Sequence, residues 1–413
     1  MNTLILITCA LCSLAGVSIS YSKNSDPFSP IKIFTFFNVF FYFDIYLNTY
    51  SETVSVIYLI QCLIILVLAF FEPRLMISNS QSTPIKQRKA ATIIWALTSV
   101  PVFNQIELIN ELGGLTQTIS NIAYRVKYFE GKGYILVLNS FMIVLNLLLL
   151  QVTLKAKQFK YTATYGIHFS ILVSIGLLSG SRSFIAMTAL AACIIYNYQE
   201  KRINLKKLAL AAITLSLLVG ILGQLRNSVS TENNEITLEK FTDGKKLELS
   251  HFKYGLIPLE IVTSSELKNL QHGQTYLSLL TNFIPRTIFP EKLESGGIFF
   301  TRVYANNAWE GASNLATGAI TEGIINFGWL IGTATGFISL LVVYASGLIL
   351  YAKFISTQSY RHNPFLLIPY TYYILLTARY SYSEFAYIFF SYIITIILPT
   401  FIFTKAYYLK LKL

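Results

Sequence analysis

The chain is a succession of apolar runs of about 17–21 residues, each long enough to cross the ~30 Å hydrocarbon core of a bilayer as a helix. No water competes for backbone hydrogen bonds in that core. Spanning segments must therefore satisfy their own N–H and C=O groups, which leaves helices or a closed barrel. Runs of this length are helical. We read about eleven spans: 2–20, 31–49, 53–71, 91–104, 134–154, 161–179, 184–198, 208–224, 328–351, 364–383 and 384–404. Only 13% of the residues are charged, against about 25% in soluble domains. The expected fold is all-α, one polytopic membrane unit over residues 1–413.

The first run lacks a basic segment ahead of it and a small-residue cleavage site after it, so it reads as a retained helix rather than a signal peptide. The formal charge is +12. Its Lys and Arg gather in short connections: Arg74, Lys86, Arg88 and Lys89; Lys155, Lys157 and Lys160; Lys201, Arg202, Lys206 and Lys207; Lys405, Lys410 and Lys412. The positive-inside bias puts these on the cytoplasmic side, together with the C-terminus. Two longer segments then face outward, 105–133 and 226–327. No basic face interleaved with stacking aromatics stands apart from the membrane pattern, which argues against nucleic acid as a partner.

In the smaller outward segment Leu115, Ile119, Ile122, Val126 and Phe129 recur at spacings of four and three. That stripe suits a helix lying in the interface or packed on its neighbours. Gly113-Gly114 should separate it from the preceding span. In the larger segment, 227–250 is polar and reads as a flexible entry, and the chain turns apolar and aromatic again from His251.

Four groups could carry chemistry. Arg182 lies in Gly180-Ser181-Arg182-Ser183, a turn between two short spans. An arginine at that depth either pairs with an anion or snorkels to headgroups. Arg286 follows Pro285 and precedes Phe289-Pro290, a corner stiffened by two prolines. Arg379 stands fifteen residues into the span that begins at Pro364, about 22 Å along a helix. Glu322 opens the ninth helix; 322–351 would be about 44 Å long, which places this carboxylate beyond the hydrocarbon core. It caps that helix, serves as a base, or orients an arginine. Guanidinium forks match phosphate oxygens and never deprotonate.

The negative findings narrow the chemistry. All four cysteines fall in predicted spans, so neither a disulfide framework nor a cysteine zinc site is expected. The three aspartates, Asp26, Asp44 and Asp243, form no Asp-x-Asp pair. No phosphate-binding Gly-x-x-x-x-Gly-Lys loop, Gly-x-Ser-x-Gly elbow or histidine metal pattern occurs. No cofactor is expected.

Three motifs occur in order: Gly180-Ser181-Arg182-Ser183; Asn282-Phe283-Ile284-Pro285-Arg286; and Gly318-Ala319-Ile320-Thr321-Glu322-Gly323 leading to Asn326-Phe327-Gly328. With the single large outward segment, they resemble the Wzy-type polymerases of bacterial O-antigen and related surface-glycan repeat units. The likeness runs from about Gly113 to the C-terminus. Ten residues separate Arg286 from Gly297, similar to an arginine–glycine spacing of such loops; around Arg125 the glycines are Gly131 and Gly133, and that spacing is not reproduced.

The resemblance implies the all-helical membrane glycosyltransferase (GT-C-like) class at the outer face of the inner membrane. A hydroxyl of one lipid-linked repeat unit would attack the first sugar of a chain carried on undecaprenyl diphosphate, and the lipid diphosphate would leave, without metal or nucleotide sugar. Arg182, Arg286 and Arg379 would then meet diphosphate and Glu322 would act as base or orienter. Arg125, His251, Tyr254, His272 and Asn282 are the candidate substrate-binding residues. Membrane lipid, a chain-length regulator and the flippase of the same pathway are the implied partners. Rival readings are an O-antigen ligase, a lipid-linked glycan flippase, and a structural member of an export complex.

Overall fold

The computed structural model describes residues 2–75, 83–120, 133–179, 182–204, 206–208, 210, 213–214, 229–232, 235–238, 255–284, 288–305 and 315–409. Helices carry the architecture. Among the described residues, seven are long and apolar enough to cross a membrane: Asn2–Lys23, Glu52–Ala69, Gln87–Glu111, Ile135–Ala156, Phe159–Leu178, Trp329–Ser356 and Phe385–Tyr408. Phe184–Gln199 is a shorter apolar helix. The chain is that of an integral membrane protein.

The helices that position the site are α1 (Asn2–Lys23), α2 (Pro30–Tyr42), α3 (Glu52–Ala69), α4 (Gln87–Glu111), α5 (Leu115–Ser120), α6 (Gly133–Ala156), α7 (Phe159–Leu178) and α8 (Arg182–Gln199), then α9 (Ile257–Ser264), α10 (Gln274–Thr281), α11 (Gly296–Val303), α12 (Gly318–Phe327), α13 (Trp329–Leu350), α14 (Leu367–Ala378), α15 (Phe385–Ser391) and α16 (Leu398–Tyr408). The large segment also holds an antiparallel hairpin, Val229–Glu232 with Glu235–Leu238, in a stretch read from sequence as a flexible entry. Gly113 and Gly114 both take positive φ just after α4, as the double glycine suggests; the stripe beyond residue 120 lies outside the described residues.

The sequence reading 31–49 as one span is more finely divided here. α2 is 13 residues long and passes into a 3-10 turn at Phe43–Tyr46. Phe34 of α2 stacks on Tyr344 of α13 at 4.3 Å between ring centres. This pair belongs to the main apolar core, which α2, α6, α13 and α14 build together.

The basic connections meet at one end of the bundle. Lys157 pairs with Glu200 at 3.2 Å, Arg202 donates to Ser25 at 2.9 Å, and Gln87 reaches the Lys155 carbonyl. Tyr360 bonds the Tyr198 carbonyl and the Thr83 N–H bonds the Arg361 carbonyl. Buried Asp26 closes this end, accepting from Tyr198 at 2.7 Å and Tyr351 at 3.0 Å. Asp44, which falls within the run 31–49, stands in the 3-10 turn that follows α2. Both aspartates are buried; Asp44 accepts from Asn48 and Tyr50.

One expectation fails outright. Residues 322–351 are not one helix. Gly328 stands at φ 79°, ψ −178°, a conformation essentially reserved for glycine. α12 ends there, and its chain folds back along α13. A Cβ added to Gly323 would lie 2.2 Å from the Gly332 carbonyl oxygen, and one on Gly336 2.7 Å from Ile320 Cα. Missing side chains let the two backbones touch. Glu322 is therefore held inside a helical hairpin and not at the free start of a long span.

Candidate functional site

The connection between α14 and α15, Arg379 to Glu384, lies at the far end of α14 from the basic end. Residues 364 to 379 would rise about 22 Å if helical throughout. The connection opens with a 3-10 turn, Arg379–Ser381. Tyr42 at the end of α2 donates to the Ser381 carbonyl at 2.8 Å, and Tyr382 stacks on Phe41 at 3.5 Å between centres. Gly318, at φ 75°, lets the start of α12 approach the same turn: a Cβ there would be 2.5 Å from the Ser381 oxygen.

Arg379 is partly buried. Its Nε donates to the Tyr382 hydroxyl at 2.8 Å, and the guanidinium carbon lies 5.6 Å from the Tyr382 ring centre. Two ion pairs occur among the described residues, Lys157–Glu200 and Arg302–Glu294. Neither involves Arg379, whose charge is met among the described residues by tyrosine. A partly buried guanidinium without a carboxylate is a receptor for an anion.

Glu322 is fully buried. One carboxylate oxygen accepts from Thr275 Oγ1 at 3.0 Å, and the other from the Phe385 N–H at 2.7 Å. The carboxylate thus caps the start of α15, a helix other than its own, and not the helix on which it stands, which was one of the three roles open to it from sequence. Glu384, the residue before Phe385, is partly exposed and accepts from the Gly297 N–H at the start of α11. Burial, with the like charge of Glu384 second, pushes the Glu322 carboxyl up to about 8; the bonds from Phe385 and Thr275 pull the other way. Burial also raises Glu384, against the pull of Gly297 and Ser295. Both residues lie outside the spans Trp329–Ser356 and Phe385–Tyr408.

Gly296 and Gly297 make this pairing possible. A Cβ on Gly296 would be 3.0 Å from Glu322 Oε1 and 3.2 Å from Thr317 Oγ1; one on Gly297 would be 3.0 Å from Glu384 Oε2. A latch holds the other side. Asn326 Nδ2 donates to Thr275 Oγ1 and to the Glu322 carbonyl, both at 2.7 Å, and its Oδ1 accepts from the Gly273 N–H at 2.9 Å. Tyr276 stacks beside Phe327 and edge-on to Phe385.

Of the remaining sequence candidates, His272 is exposed, at φ 45°, and its backbone N–H bonds the Asn326 carbonyl. Asn282 caps the C-terminus of α10, its N–H bonding the Ser278 carbonyl. Among the described residues, the donors to the two carboxylates are Thr275, Phe385, Gly297 and Ser295, and neither the His272 nor the Asn282 side chain is one of them. Arg125, His251, Tyr254 and Arg286 lie outside the described residues, as does the Arg182 side chain; the backbone of α8 begins at Arg182. The structure therefore brings Glu322 and Arg379 to neighbouring elements and adds Glu384, Thr275, Thr317 and the Gly296-Gly297 pair. The one sequence signal for Glu384 is its place five residues after Arg379 on the same connection.

α10 presents its polar residues, Thr275 and Ser278, inward and its apolar ones, Leu277 and Leu280, outward. Phe283 beyond it packs edge-on against Phe390 of α15. Nearby, an apolar cleft of about 660 Å³ follows α2, lined among others by Val17, Phe36, Phe40, Phe43, Leu190 and Leu375. Arg379 comes one helical turn after Leu375. Among the described residues no cluster of three or more His, Cys, Asp or Glu could hold a metal ion.

Comparison with family models, with curated proteins and with solved structures finds no match to this chain.

Proposed function

We propose that this chain is a lipid-linked glycosyltransferase of the Wzy type, joining repeat units carried on undecaprenyl diphosphate into a surface polysaccharide. The observation that carries the reading is Arg379: a partly buried guanidinium held, among the described residues, by tyrosine, on the same short connection as Glu384 and one turn beyond Leu375 of an apolar cleft. A diphosphate on an isoprenoid chain fits that combination. The guanidinium meets the charge that builds on the departing phosphate, the cleft suits the chain, and a carboxylate takes the proton of the attacking hydroxyl.

In this reading the protein crosses the inner membrane about eleven times, in the GT-C-like manner. The segments 105–133 and 226–327 face outward and the basic end with the C-terminus faces the cytoplasm. The gathering of Lys157, Arg202 and their neighbours at the end opposite Arg379 supports that orientation. Arg182 and Arg286 complete the diphosphate site, and Arg125, His251, Tyr254, His272 and Asn282 contact sugar. A chain-length regulator and the flippase of the pathway act alongside.

The test is deletion of the gene in its host, with complementation by wild type, Arg379→Ala and Arg286→Ala, and gel separation of extracted glycolipid. The expected result is a single repeat unit in the deletion strain and a ladder restored only by wild type. Loss of every band above the core would point instead to a ligase or a flippase, and a ladder restored by both variants at normal protein levels would remove the arginines from the mechanism.

A further inference from the structure

Glu322 has no exposed surface, and both of its oxygens are engaged within the fold, by Thr275 and by the Phe385 N–H. A group so enclosed cannot meet a substrate hydroxyl. Glu384 differs. It is partly exposed, its one backbone bond comes from Gly297, and it shares a connection with Arg379. The two carboxylates are coupled through consecutive residues on both sides: Glu384 adjoins Phe385, which donates to Glu322, while Gly296 abuts Glu322 and Gly297 abuts Glu384.

An independent feature marks the place as more than a pair of acids. The Thr317 hydroxyl is buried and has no hydrogen-bond partner among the described residues. It converges with Glu322 Oε1 on the same face of Gly296, 3.2 and 3.0 Å from where a Cβ would stand.

We propose that Glu384 is the catalytic base of the transfer reaction and that Glu322 is the positioning residue that holds the pair's remaining proton. The proposal rests on the glycosyltransferase reading given above. As the acceptor oxygen bonds to the anomeric carbon of the donor, its proton passes to the ionised Glu384. The bond from that carbon to the phosphate oxygen breaks, and its electron pair leaves with the lipid diphosphate beside Arg379. Protonated Glu322 spares Glu384 a second full charge nearby, so the base stays ionised in a site that burial would otherwise neutralise. Such a pair titrates as a unit. Among the described residues, the other titratable groups on the elements packed around it are Tyr42, Tyr276, Tyr344, Tyr380, Tyr382 and Tyr387, Glu260 of α9, the Arg379 guanidinium, and the Arg302–Glu294 ion pair.

The experiment uses the full chain, purified in detergent, with lipid-diphosphate-linked repeat unit as substrate, and measures elongation as a function of pH. Wild type should show two steps, the upper near the value of about 8 held by Glu322. Glu384→Gln keeps an oxygen for the Gly297 N–H and should lose about 10²–10⁴-fold in kcat at every pH, with KM little changed. Glu384→Asp should recover about tenfold over the glutamine variant, which separates loss of the carboxylate from loss of the fold. Glu322→Gln should keep the lower step and lose the upper one. Glu384→Gln at the wild-type rate would overturn the proposal, and so would a Glu322→Gln that falls as far as Glu384→Gln at every pH, since Glu322 would then be the base. A wild-type protein that elongates nothing would overturn the glycosyltransferase reading itself, and the proposal with it.

Discussion

At the scale of single residues, the site rests on charges whose partners are neutral. Arg379 is met by Tyr382 through a hydrogen bond and through the ring face. Lysine would keep the charge and lose the planar fork and its stacking. Arg379→Lys and Arg379→Ala should both slow elongation, the alanine variant by about 10²–10³-fold, as when one preorganised charge-stabilising group is removed; rates of the purified variants measure this. Glu322 makes a separate prediction about stability. Its carboxyl keeps its proton to about pH 8 in the fold, against an ordinary value of 4.5. Between those values the unfolded chain has released a proton that the folded chain still holds. Rising pH therefore favours unfolding across that window, by up to about 1.4 kcal/mol per pH unit, and the contribution is gone once pH passes the folded value. Thermal unfolding of wild type in detergent should move to lower temperature from pH 5 to pH 8, and Glu322→Gln should flatten that trend. An identical slope in the variant would remove Glu322 as its source. Sequence alone singled out Arg379 and Glu322 because each is a rare charge at the edge of an apolar run. It passed over Glu384, whose role comes from the Gly297 N–H, 87 positions away along the chain.

Among elements, the hairpin of α12 and α13 decides where Glu322 can point. No charged residue falls between Glu322 and Lys353, which suggests one helix, but Asn326-Phe327-Gly328 carries the stop. Glycine just past a helix end supplies the positive φ that lets the chain reverse, and the Gly328 N–H closes the last turn on the Ile324 carbonyl at 2.8 Å. Hydropathy has no means of seeing this, because a span and a buried hairpin are equally apolar. The same blindness affects 31–49, where α2 is a short buried helix packed on α13. By contrast, the long spans were legible, since length and hydropathy are the physical requirement for crossing a bilayer. Gly332 gives the sharpest test of the hairpin. A Cβ there would lie 2.4 Å from the Gly323 oxygen and 2.6 Å from Ile324 Cα. Both obstacles are backbone, so α12 must shift. Gly332→Ala should destabilise by about 1–3 kcal/mol or more, as overpacking does, and should impair elongation by moving Glu322. Wild-type melting and wild-type rate together would mean that the two helices do not touch at Gly332.

For the molecule as a whole, the arrangement is polar: cationic connections at one end, an anion-receptive arginine and a carboxylate pair at the other, and apolar surface between them. Under the proposed function the substrates have the same polarity, with charge at a headgroup and a long apolar chain, so one orientation of the protein would serve both. The sidedness can be tested directly, because the native cysteines form a quiet background. Cys9, Cys12 and Cys62 are buried and Cys193 is partly buried. His272 and Lys157 are both exposed, on segments near opposite ends. A membrane-impermeant maleimide applied to intact cells with a permeabilised outer envelope should label His272→Cys and spare Lys157→Cys; after lysis it should label both. Tyr276, four residues beyond His272, packs edge-on to Phe385 beside the carboxylates, so the label at 272 reports the side on which the site itself lies. Labelling of Lys157→Cys alone in intact cells would invert the protein. It would place Arg379 on the cytoplasmic face, where the charge bias of the connections would then run against the positive-inside rule, and outward polymerisation would lose its geometric basis.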